Sequence, residues 1–241
     1  MNLWIFGDSY SSSSADWAEG QAYGSQTIEK SWFEILAELL TVDKINLHSQ
    51  KGVANEWIYS EIIKNQALFE KGDYVVIQLT SKNRKWFLID HPSLSNIFNS
   101  EIQWNNKEQA KAIEGYKKHL HTDLLDIIHQ DMMICALQYI AKTLEDNVKV
   151  LIVSGFDEIP GVTGSLGDIC FGEFTDRSIQ DKYYFHHRAD PRINHMHEEN
   201  HKVLAEKIYN FFDSFEHVDF TSGFKTKFIN QINYKKVQQD Y

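Results

Sequence analysis

Three short apolar runs, Leu3 to Phe6, Tyr74 to Leu79 and Val148 to Val153, and a fourth short strand candidate, Lys44 to Leu47, alternate with four longer stretches of helical spacing. That alternation constrains the fold more than any other feature of the chain, because strand after helix after strand builds a sheet whose crossovers lie on its faces. Tyr74-Val75-Val76-Ile77-Gln78-Leu79 is the densest β-branched run and reads as a strand covered on both sides. Lys30 to Val42 brings Trp32, Phe33, Ile35, Leu36, Leu39 and Leu40 onto one wide helical face, and Asn55 to Phe69 turns Trp57, Ile58, Ile62 and Ile63 inward. Lys107 to Glu145 reads as two helices meeting near His121-Thr122-Asp123, with Thr122 capping the second. His197 to Phe212 is a last amphipathic helix through Val203, Leu204, Ile208 and Phe212, and short strands are expected near Ile169 to Phe171 and Val218 to Phe220. Right-handed crossovers then predict a three-layer α/β/α architecture with a central, mostly parallel sheet.

No linker, repeat or composition break divides the 241 residues, so residues 1–241 are read as one domain. A formal charge of −10 excludes general binding to a phosphate backbone, which requires clustered Lys and Arg, and no nucleic-acid partner is expected. The two cysteines, Cys135 and Cys170, are too few for a disulfide framework, and reduced, buried thiols are the expectation. The N-terminus carries no basic region followed by a long apolar one, and no run reaches membrane-spanning length. A chain without a signal peptide, cytoplasmic or virion-associated and with oligomer or virion assembly open to it, is therefore expected.

Ligands of open parallel sheets bind beyond the carboxyl ends of the strands. Ser9, Gly52, the segment from Thr80 to Arg84, Gly155 and the His-rich stretch before the last helix all follow strands or flank helices on that edge. Leu3-Trp4-Ile5-Phe6-Gly7-Asp8-Ser9-Tyr10 ends its strand at a glycine and presents a serine, which either acts in a cleft or only caps the following segment.

Gly7-Asp8-Ser9-Tyr10 directly after the first strand, Gly52 after the second, the loose match Gln78-Leu79-Thr80-Ser81-Lys82-Asn83-Arg84 after the third, and His195 opening the final helix occur in the order of four known motifs. In these blocks the chain resembles the SGNH (GDSL-type) hydrolase superfamily over nearly its full length, including the style of its phage-encoded members, with the first and last blocks the specific ones. The resemblance implies a flavodoxin-like hydrolase fold in which Ser9 is the nucleophile and His195 the general base. It implies an oxyanion hole from the main-chain N–H groups of Ser9 and Gly52 and an amide side chain, for which Asn83 is the candidate after a shift of one residue. The family's third triad member, an Asp three residues before the histidine, is replaced by Arg192, and Asp190 is the nearest carboxylate that can orient the ring. The activity implied is that of an esterase or a carbohydrate or lipid deacetylase, with a small-molecule or carbohydrate ester as substrate and no cofactor or metal.

Two rival readings use the same residues. His197-Glu198-Glu199-Asn200-His201 matches the zinc pattern H-E-x-x-H, for which Glu216, His195 or Asp190 would have to supply a third ligand. The displaced aspartate and the loose third block fit a binding or structural module that keeps the hydrolase fold without turnover.

Overall fold

The structure is a computed structural model that describes residues 1–11, 30–50, 52–80, 84–86, 107–154 and 198–214 and the single positions 218, 220 and 223. Four strands, β1 (Asn2–Gly7), β2 (Lys44–Ser49), β3 (Tyr74–Leu79) and β4 (Lys149–Ser154), form one sheet in the order β2-β1-β3-β4. All three pairings are parallel, with Ile5 beside Leu47 and Val76, and Val76 beside Leu151. The described helices are α1 (Trp32–Leu40), α2 (Asn55–Asn65), α3 (Lys107–His119), α4 (Asp123–Leu144) and α5 (Glu198–Ser214).

Side chains alternate across each strand, so one sequence fills two cores. Leu3, Ile5, Val76, Leu151 and Val153 face α1 and α5, where Trp32, Phe33, Leu36, Leu204, Ile208 and Phe212 close over them. Trp4, Phe6, Val75, Ile77, Leu79, Val150 and Ile152 face Ile58 and Ile62 of α2 and Ile134, Leu137 and Ile140 of α4. The result is a three-layer α/β/α sandwich. The step from β1 to β2 runs one way across the sheet and those leading to β3 and β4 run the other, so a fixed crossover hand puts α1 on one face and α2 and α4 on the opposite one.

The expected helices form, with instructive differences at their edges. α2 stops at Asn65 and passes into a 3-10 turn, and Leu39 and Ile63, expected inward, are 41% and 42% exposed. Cys135 is also exposed on α4, not buried as the apolar pattern around it suggests. A helix lying on a sheet covers only a narrow stripe, and these positions fall beside it. Val218 and Phe220 are irregular instead of forming a strand, although Phe220 packs into the first core. The stretch Ile169 to Phe171 lies outside the described residues, as does Cys170. Thr122 is the N-cap of α4, its Oγ1 accepting from Leu125 N at 3.1 Å. Among the described residues no helix is long and apolar enough to cross a membrane.

Candidate active site

The order β2-β1-β3-β4 reverses direction between β1 and β3, which is the switch point where ligands of open parallel sheets ordinarily bind. Asp8 follows β1 at this point, Thr80 follows β3, and both are buried. Among the described residues the Asp8 carboxylate accepts from four donors: Tyr10 N at 3.0 Å and Gln78 Nε2 at 2.8 Å on Oδ1, Thr80 Oγ1 at 2.9 Å and Arg84 Nη1 at 2.6 Å on Oδ2. Ser11 Oγ donates to the other end of the Gln78 amide, and Arg84 Nη1 also donates to Thr80 Oγ1 at 2.5 Å. A buried carboxylate requires such compensation, since an unpaired one costs several kcal/mol.

The neighbouring connection is tied into the same network. Asn55, the first residue of α2, clamps the Thr80 main chain with both ends of its amide, Nδ2 to Thr80 O at 2.9 Å and Oδ1 from Thr80 N at 2.7 Å. Arg84 Nη1 lies 3.4 Å from Val53 O, in the loop that leads into α2. Gly52 in that loop has φ 71°, a left-handed conformation that favours glycine. Gly7 pairs with Ser49 at the ends of β1 and β2, so the main chain at Ser9 and at Gly52 leaves the same edge of adjacent strands. Gly7 is required by close approach, because a Cβ there would come within 2.9 Å of Ser11 Oγ and 3.0 Å of Gln78 Oε1.

Ser9 sits in a 3-10 turn, Ser9–Ser11, whose far side is held by α1: Trp32 Nε1 donates to Tyr10 O at 3.0 Å. The main-chain N–H of Trp32 in turn donates to His201 Nδ1 at 3.0 Å, across 169 residues of sequence. The first turns of α1 and α5 and the turn at Ser9 are thus one connected unit. His201, one histidine of the zinc pattern, is 1% exposed and its Nδ1 is occupied as an acceptor. His197, His195, Asp190 and Asn83 lie outside the described residues.

Sequence reasoning named Asp8, Gln78, Thr80 and Arg84 as members of motif blocks on this edge and Asn55 as the start of a helix, but not the bonds that join them into one network. A signal existed in Gln78, since a lone amide in a strand buried on both faces must meet a polar partner. A second polar group adjoins the first through Asn55 and Arg84: Lys85 Nζ lies 3.0 Å from Asp126 Oδ1 and 3.9 Å from Glu56 Oε1, and His121 Nε2 lies 2.7 Å from Asp126 Oδ2. Burial raises the Glu56 carboxyl above its ordinary range, against the lowering effects of its own main-chain amide, Lys85 and His129. No family model matches the chain, and no curated protein matches it in sequence.

Proposed function

We propose that the chain is a serine-dependent carboxylic-ester hydrolase of the SGNH kind, acting on a small-molecule or carbohydrate ester. Ser9 Oγ attacks the ester carbonyl while His195 takes its proton, and the same imidazole returns that proton to the departing alkoxide. Water, deprotonated by His195, then cleaves the acyl-serine to carboxylic acid and free Ser9. The main-chain N–H groups of Ser9 and Gly52 and the Asn83 amide hold the developing oxyanion, each donor worth roughly 3 to 4 kcal/mol of barrier. Asp190 orients the His195 ring.

One observation supports this reading most. The chain of bonds from Tyr10 O through Trp32 to His201 ties the serine turn to the start of α5, whose first residue, Glu198, comes three residues after His195. The serine turn at the switch point and Gly52 on the adjoining strand end agree with it.

The test is hydrolysis of short-chain p-nitrophenyl and acetylated-sugar esters, together with labelling by a fluorophosphonate. Wild type is expected to turn over and to label, and Ser9→Ala to lose labelling and at least ~10³-fold in rate. Absence of any serine-dependent reaction in either assay would leave the inert module as the better account.

A further inference from the structure

One guanidinium nitrogen joins the connections that carry the proposed oxyanion donors. Arg84 Nη1 lies 2.6 Å from Asp8 Oδ2, 2.5 Å from Thr80 Oγ1 and 3.4 Å from Val53 O. Asp8 immediately precedes Ser9, Val53 immediately follows Gly52, and Arg84 itself immediately follows Asn83. The segments that leave β1, β2 and β3 are thus tied at a single atom. Each tie is set by further bonds. Asp8 Oδ1 accepts from Tyr10 N at 3.0 Å, an Asx turn that encloses the main chain of Ser9. Gly52 stands at φ 71° beside Val53. The bond from Nη1 to Thr80 Oγ1 joins the two residues that bracket positions 81–83, and Asn55 holds the Thr80 main chain in turn.

We infer that Arg84 is a positioning residue: it sets the separation of the Ser9, Gly52 and Asn83 donors, so that the oxyanion hole is assembled before substrate arrives. The inference rests on the hydrolase reading above and adds to it a side chain that acts through its neighbours. Compensating the Asp8 charge would not require this arrangement, because a lysine supplies the same charge. What the guanidinium adds is reach and fixed geometry. Its terminal nitrogens extend one bond beyond the ammonium of a lysine, and the paired N–H groups of Nη1 face separate connections. The contact with Val53 O is the longest, so the Gly52 segment is the first to be released when the side chain is shortened. Donors held in place act on the carbonyl oxygen once it has become an oxyanion, and the effect of Arg84 therefore falls on kcat and hardly on KM.

The test is steady-state hydrolysis of a short-chain p-nitrophenyl ester by the full chain, at a temperature where circular dichroism shows every variant folded. Arg84→Lys keeps a cation opposite Asp8 and falls one bond short of the native contacts. Its kcat is expected to drop ~10- to 100-fold, because a displacement of about 1 Å suffices for such a loss, with KM within about threefold of wild type. The double variant Asp8→Asn with Arg84→Gln leaves no charge unpaired and should also keep a low kcat. Asp73→Ala, which removes the acceptor for Asn2 N and Trp4 Nε1 at the other end of β3, lowers stability without touching Arg84 and should retain the wild-type kcat. A wild-type kcat in Arg84→Lys, a loss carried by KM, recovery of kcat in the double variant, or an equal loss in Asp73→Ala would each overturn the inference and leave the hydrolase reading standing. A wild-type chain without Ser9-dependent turnover would remove both.

Discussion

The four donors around Asp8 explain how a carboxylate survives with no exposure at the end of a central strand. Truncation should therefore act through what it leaves behind. Asp8→Ala strips the carboxylate from an Arg84 side chain that is only 15% exposed, and an expected loss of about 3 to 5 kcal/mol follows in denaturant unfolding. Asp8→Asn keeps the shape but not the charge and should lose less; equal losses from the two would place the whole effect on the charge, and an Asp8→Asn variant as stable as wild type would show that the ion pair with Arg84 contributes nothing. The motif Gly7-Asp8-Ser9 was legible from its position after an apolar run, but the partners of Asp8 were not, because residues such as Thr80 and Arg84 are ordinary loop composition until the sheet brings them 72 and 76 positions back to it. Gln78 was the exception that sequence alone could have flagged.

At the level of elements, the opposite edge of the sheet has its own clamp. Asp73, just before β3, accepts from Asn2 N at 2.7 Å, Trp4 Nε1 at 2.9 Å and Glu70 N at 3.1 Å, which fixes the starts of β1 and β3 against each other. Burial pushes this carboxyl up, yet the bonds from Trp4, Glu70 and Asn2 outweigh it and hold it below the ordinary carboxylate range. A folded value below the unfolded one gives stability that is present above the unfolded value and lost as pH falls through the folded one. Asp73→Ala should cost roughly 3 kcal/mol at neutral pH, by leaving donors unsatisfied, and should flatten the acid side of a stability-against-pH curve. A variant whose acid limb matches wild type would refute this. The elements themselves were legible because strand and helix periods differ, and even the Thr122 cap could be read. Misreadings at Leu39, Ile63 and Cys135 arose where apolar residues lie outside the stripe a flat sheet covers.

On the scale of the molecule, burial grades across the sheet. β1 and β3 are buried along nearly their whole length, whereas Lys44 in β2 is exposed and the rest of that edge strand is only partly covered. Native-state hydrogen exchange should find the β1 and β3 amides opening only with global unfolding and the β2 amides opening at lower free energy, and equal protection across the three would contradict the grading. The layer order was legible because alternation of strands and helices admits few topologies, while the strand order was settled by long-range pairing that no local window contains. The same pairing has a kinetic side. β1 and β3 are neighbours in space with all of β2 and α2 between them in sequence, so the loop that joins them must close before Asp8 can reach Gln78 or Arg84. The acid at the end of β1 therefore reaches its partners only once β3 has paired with β1, and until then it is left to water.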